Sequence, residues 1–312
     1  MRLTTVLTPA GPRAGVLDGE VIRLLEPGVT LVDVIRTGEE GLAAVHRAIR
    51  SGSAIPLDEA ELGPLLSPPS VRDFSVYERH IHALAGEVPN TWYEEPLFYF
   101  SNPAAVVAPY GSVAIPPGVR QLDYELEVAA VVGAAGSDLT PEQAADHIFG
   151  YTIMNDWSAR DLQVREFTLP FGPSKSKDAA TTLGPWLVTA DELADHVEDG
   201  RLALRTEVRL NGVITGSDTT ASMSWSFPDL VAYASRGTVV QPGDVLGSGT
   251  CGTGCLAEIR RTRGADAPDW LAPGDVVRIE VEGLGHIENR LVAGPDPVPI
   301  PAARRRITAP TG

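Results

Sequence analysis

The run LDYELEVAAVVG, residues 122–133, constrains this chain more than any other segment. It begins as an alternating strand and becomes continuously apolar, as a strand covered on both faces does. Glu125 and Glu127 stand two residues apart in it, so both side chains leave the strand on the same face. Glutamate is a poor strand former, and two like charges about 7 Å apart at a partly buried place repel. Each also loses hydration unless a cation compensates. A solvent-facing acidic stripe on an edge strand, with Asp123 in the same register, is the other reading open at this point.

Asp156 favours the buried reading. It follows the apolar run IFGYTIM and lies in NDWSARDLQ, where two carboxylates, an arginine and a glutamine crowd beside a tryptophan. Such polar density at the end of a buried segment marks a site more often than a solvated loop. Ligands that are all oxygen point to Mg²⁺, with Mn²⁺ or Ca²⁺ as alternatives, instead of zinc.

The remaining chain reads as α+β and β-rich. Residues 1–66 form a small N-terminal α+β unit: strands at LTTVLT and VIRLL with a tight turn at Asp18-Gly19, then a helical pattern from Leu31 to Ile49. The proline-rich stretch Pro56 to Pro69 reads as a linker to a second unit, 67–312. There Thr140, Pro141 and Gln143 predict a capped helix start, and Asn211-Gly212 predicts a hairpin. Hydrophobic residues are 43% of the 312, and no apolar run reaches the roughly 18 needed to span a bilayer. The N-terminus lacks the pattern of a secretory signal, which makes the cytoplasm the expected location.

Acidic residues outnumber basic ones 41 to 25, so nucleic acid is an unfavourable partner, and an organic-acid site needs its positive charge concentrated within. Cys251 and Cys255, four apart, could form a redox pair or half a metal site, but no second Cys or His pair stands nearby to complete one.

The runs LDYELEVAAVVG, GYTIMNDWSARDLQ and PFGPSKSKDAATTLGPW together resemble the fumarylacetoacetate hydrolase family, from about Ser70 to Asn289. The resemblance implies a mixed β-sandwich-like roll, a small N-terminal domain and a homodimer. It implies Asp73, Glu125, Glu127 and Asp156 as metal ligands, His80 as the water-activating base and Glu258, read on a strand, as its acidic partner. Arg160, Gln163 and Lys177 fall where the family stabilises negative charge, with Arg160, Gln163 and Thr250 also facing substrate and Thr181 on the metal or substrate side. Matching Lys177 needs a one-residue insertion before Pro170, which leaves Lys175 as its alternative. Ser75, Pro89 and Phe167 stand where the tyrosine-degrading hydrolases hold substrate with Tyr, Arg and Tyr, so a substrate other than fumarylacetoacetate is expected. Trp92, Tyr93, Phe98 and Tyr99 line a pocket or lid, or pack in the core. The implied function is metal-dependent hydrolysis of a carbon–carbon bond in a small diketo acid; the alternative is an isomerase or decarboxylase of a 2-oxo acid.

Overall fold

The computed structural model describes residues 1–169 and 171–304; Pro170, beside the expected insertion, and residues 305–312 lie outside the described residues. An eleven-stranded mixed sheet runs through the molecule. Its order is Ala54–Pro56, Val21–Leu24, Gly11–Asp18, Arg2–Thr8, Thr181–Thr189, Ile148–Asp156, Leu126–Val132, Val245–Gly247, Val71–Phe74 and Phe98–Ser101, with Val106–Val107 beside Thr181–Thr189. The pairings are antiparallel except for Val245–Gly247 on Val71–Phe74 and Val106–Val107 on Thr181–Thr189. The N-terminal strands enter this sheet through Leu3 opposite Leu187.

Leu126–Val132 lies near the middle, and its side chains divide between two cores by strand alternation. Leu126, Val128, Ala130 and Val132 face one apolar cluster together with Val208, Ile279 and Ile287 of a second, five-stranded sheet. Ala129 and Val131 face the opposite cluster with Leu183 and Leu187, closed by Val34, Ile35 and Val45 of the N-terminal helices. The continuous apolar run therefore has a cause: each large aliphatic side chain fully withdrawn from water contributes about 1.5–3 kcal/mol. The expected α+β, strand-rich class is the one observed.

Local signals explain the details. Gly19 and Gly212 take positive φ in the two tight hairpins, and Asn211 joins the second with φ 52°. Thr140 and Gln143 form a reciprocal capping box with Pro141 in the first turn. That helix stops at Ala145, because Ile148 already belongs to the next strand. The helix expected from Leu31 to Ile49 is instead two, Leu31–Arg36 and Glu39–Ser51, broken where Gly38 takes φ 55°. Among the described residues no helix is long and apolar enough to cross a membrane.

Ile153 is fully buried in the strand next to Leu126–Val132. Ile153→Ala should destabilise the protein by about 2–5 kcal/mol in urea titrations, whereas Ile214→Ala, on an exposed strand position, should stay within about 0.5 kcal/mol.

Candidate metal centre and active site

Neighbouring strands bring the carboxylates together. Asp73 lies opposite Tyr99 on one side and Gly247 on the other, Gly247 lies opposite Ala129, and Asp156 lies opposite Thr181. Asp73, Glu125, Glu127 and Asp156 converge, each offering an oxygen within 4.8 Å of the others, and all four are buried. Gly247 makes the room, since a Cβ there would sit 2.6 Å from Asp73 Oδ1 and 3.0 Å from Glu127 Oε2.

Two buried cations cover part of this charge. Lys177 Nζ donates to Glu125 Oε2 and Asp156 Oδ2, both at 2.6 Å. Arg160 Nη2 donates to Glu125 Oε1 at 2.7 Å, its Nε donates to Asp123 Oδ2 at 2.9 Å, and its Nη1 donates to Gln163 Oε1 at 3.0 Å. Asp123 is thus turned inward and fully buried, not part of a solvent stripe. Its oxygens also accept the backbone N–H groups of Leu256 and Ala257 at the start of helix Leu256–Arg263. Lys175 is exposed and pairs with Asp178, so Lys177 is the lysine at the carboxylates.

What remains uncovered is the observation that bears on a metal. Asp73 Oδ1, both Glu127 oxygens, Asp156 Oδ1 and Thr181 Oγ1 are buried with no hydrogen-bond partner among the described residues. A buried unpaired polar atom costs about 1–3 kcal/mol, more when charged. Hard oxygen donors left bare around one point, with Gly247 leaving space beside them, fit a divalent cation of the Mg²⁺, Mn²⁺ or Ca²⁺ kind.

The electrostatics divide the four acids. Burial pushes Glu125 up, but Lys177 and then Arg160 outweigh it and hold the carboxyl well below the usual range. Burial and the charges of Asp73, Glu125 and Asp156 push Glu127 far up. Burial and then the Asp156 charge push Asp73 up to about 7. Burial works against the Lys177 ammonium, yet Asp156 and Glu125 more than compensate and keep it protonated. Tyr99, raised by burial and by Asp156, remains a phenol and donates to Asp73 Oδ2 at 2.6 Å and to Asp156.

A second pair stands nearby. His80 is the buried residue of the amphipathic helix Glu78–Ala85, and its Nδ1 lies 2.9 Å from Glu258 Oε2. Glu258 Oε1 accepts the Thr253 N–H at 2.8 Å. His80 stands within the charge environment of Glu125. Glu258 is on a helix, not on the strand expected from sequence; Cys255 Sγ caps that helix by accepting the Glu258 N–H. Cys251 and Cys255 are free and buried, with burial pushing both thiols up. Thr250 is buried in the segment after Val245–Gly247, against Gly254. Sequence reasoning missed the space-making Gly247 and the inward role of Asp123. Tyr99, open between pocket and core, is a hydrogen-bond donor to two of the acids. A cleft of about 560 Å³, lined by Leu97, Phe98, Phe100 and Phe171, reaches Asp73 and Tyr99.

These shifts set a pH window. Asp73 is raised above the unfolded value, so its contribution to stability is complete below about pH 4 and is lost as pH rises through about 7; that of Glu127, also raised, is lost in the same direction. Glu125, shifted down, acts at lower pH, and Lys177, shifted up, acts at higher pH. A divalent cation that replaces those protons should raise the unfolding temperature more at pH 8 than at pH 5. Thermal melts with Mn²⁺ and with chelator at both pH values check this; equal increments would contradict it.

Residues 70–292 match the family model described as fumarylacetoacetate (FAA) hydrolase C-terminal. A mitochondrial oxaloacetate tautomerase of Bos taurus is 32% identical over 305 residues, covering 94% of this chain and 92% of its own. The solved fumarylacetoacetate hydrolase from psychrophilic Exiguobacterium antarcticum is 29% identical with a TM-score of 0.75, over 94% of this chain and all (100%) of its own. Maleylpyruvate hydrolase from Sphingobium sp. SYK-6, solved with manganese(II) and pyruvate, shares the fold at 23% identity and TM-score 0.72, over 95% of this chain and 100% of that one. With the family model spanning the carboxylate strands, Lys177 and the His80–Glu258 pair, this chain belongs to the fumarylacetoacetate hydrolase family.

Proposed function

We propose that this protein is a divalent-metal-dependent enzyme that interconverts the keto and enol forms of a small 2-oxo acid of the oxaloacetate type. The observation that carries the reading is the set of bare, buried oxygens of Asp73, Glu127 and Asp156 beside the protonated Lys177. A cation held there by Asp73, Glu125, Glu127 and Asp156 would polarise a bound carbonyl as a Lewis acid. The oxygen-only donors favour magnesium, with manganese or calcium as substitutes. Among the possible enolate reactions, the near-full-length likeness to an oxaloacetate tautomerase favours tautomerisation.

The chain's own groups suit that chemistry. An Nδ1–H of His80 donated to Glu258 leaves Nε2 unprotonated, able to take a proton from the carbon beside the carbonyl and to return one. Lys177 and Arg160 place fixed positive charge at the site, where an enolate develops; a well-placed donor of this kind contributes about 3–4 kcal/mol to the transition state. Gln163 holds the Arg160 fork in orientation, and Thr250 and Thr181 supply hydroxyls for the substrate side.

Hydrolysis of a carbon–carbon bond in a diketo acid is the second reading. The buried His80–Glu258 pair favours it, because a base oriented by a carboxylate suits activation of water as well as of carbon. A homodimer working in the cytoplasm completes the proposal, from the resemblance and from the sequence.

The test follows the enol absorbance of oxaloacetate and of acylpyruvates in deuterated, oxygen-18-labelled water with Mg²⁺ present. Tautomerisation gives faster enol decay, one product and deuterium on carbon. Two fragments with label in a new carboxylate would replace it with hydrolysis, and no turnover of either would overturn both. His80→Ala should lower kcat by roughly 10²-fold while metal binding persists.

A further inference from the structure

Both site cations depend on one short helix. Arg160 opens the helix Arg160–Glu166, Gln163 three residues on accepts from Arg160, and Glu166 three residues further ends it. The Glu166 carboxylate receives Ser174 and Ser176, each through both backbone and side chain. The Ser174 N–H and Oγ donate at 2.8 and 3.0 Å, the Ser176 N–H at 3.1 Å and the Ser176 Oγ at 2.5 Å. These hydrogen bonds lower the Glu166 pKa against the opposing effect of burial, so the clamp is a carboxylate at neutral pH. Charge-assisted hydrogen bonds of this kind are roughly twice as strong as neutral ones.

The next residue is Lys177. Its N–H donates to Ser174 O at 3.1 Å, its carbonyl accepts from Ser101 Oγ at 3.0 Å, and its side chain ends on Glu125 and Asp156. We infer that Glu166 is a positioning residue: by clamping Ser174 and Ser176 to the helix that carries Arg160, it sets the Lys177 ammonium against the carboxylates in fixed relation to the Arg160 guanidinium. The role in turnover rests on the function proposed above; the positioning itself does not. Lysine is otherwise a flexible side chain on four methylenes, and a buried ammonium misplaced by about 1 Å forfeits much of its effect on a transition state.

The experiment compares Glu166→Ala and Glu166→Gln, each alone and combined with Lys177→Met, in the full-length enzyme. The first measurement needs no substrate: the rate at which a soluble amine-acetylating reagent modifies Lys177, read by mass spectrometry, with circular dichroism to establish that each variant is folded. Glu166→Ala should speed modification of Lys177 about tenfold, and Glu166→Gln, which keeps one acceptor oxygen, should give an intermediate rate. With a turned-over 2-oxo acid, Glu166→Ala should lower kcat about tenfold with KM within about twofold, the split expected when a charge acts in the transition state. In the Lys177→Met background the same change should cost nothing further, since residues acting through one another are not additive. Should Glu166→Ala fail to fold, the Gln variant decides by the same measurements. Unchanged modification of Lys177 in a folded variant, or a kcat loss that adds fully to that of Lys177→Met, would overturn the assignment. If no 2-oxo acid is turned over, the function proposed above falls, while the modification rates still decide whether Glu166 holds Lys177.

Discussion

Packing Asp73, Glu125, Glu127 and Asp156 around one point in the protein interior is the constraint on which the rest of the structure depends. Buried carboxylates at this spacing repel, and desolvation adds several kcal/mol for each ion. Lys177 and Arg160 neutralise Glu125 and reach Asp156 and Asp123, and Tyr99 donates to one Asp73 oxygen, but Glu127 and one oxygen each of Asp73 and Asp156 stay bare. Charge deficit and open coordination are therefore the same feature. A protein that met its whole charge balance internally would have no oxygens left to offer a metal or, through it, a substrate.

The scaffold explains how such a cluster is tolerated. Glu127 projects from a strand whose apolar neighbours are divided between two cores, so the strand has little freedom to move the acid toward water. The adjacent strands place Asp73 and Asp156 by hydrogen-bonded register, and Gly247 between them leaves the volume that a side chain would take. Around this sheet the flanking segments are held by polar contacts: the His80 helix through Glu258, the Arg160 helix through Asp123, and the Lys177 segment through Ser101 and the Glu166 clamp. Backbone register fixes Asp73, Glu127 and Asp156, and side-chain networks fix His80, Arg160 and Lys177.

Much of this was legible in the sequence because its causes are local. The continuous apolar run identifies the central strand Leu126–Val132 and Glu127 within it, because glutamate has no reason to be there without compensation. The alternating start is not part of that strand: Leu122–Asp123 pairs with Ser158–Ala159 in a separate sheet, and Glu125 lies in the link between the two. Asn211-Gly212 and the Thr140 capping box act within a few residues and were readable for the same reason. Less legible were features made by chain segments far apart. Asp123 looked like a surface charge until Arg160 and the start of the 256–263 helix closed on it, and Gly247 looked like any glycine after a strand. Glu258 was read on a strand because the cysteine cap that starts its helix is an unusual one, and the helix at Leu31 was read too long because Gly38 inside an amphipathic pattern carries a weak signal. Glu125, Glu127 and Asp156 stand out in the sequence itself, whereas Asp73, His80, Arg160 and Lys177 come from the family resemblance; the geometry shows which of these residues are charge-paired and which carry a bare oxygen.

The central claim is that the deficit among these carboxylates is met by a divalent cation, and the most direct measurement is anomalous diffraction from crystals equilibrated with Mn²⁺. The account predicts one strong peak within bonding distance of Asp73, Glu127 and Asp156, with Glu125 at or next to the ion and Lys177 still on the carboxylates. A peak at the other grouping of ligand-type side chains, His80, Cys255 and Glu258, or no ordered manganese with the four acids unmoved, would contradict it.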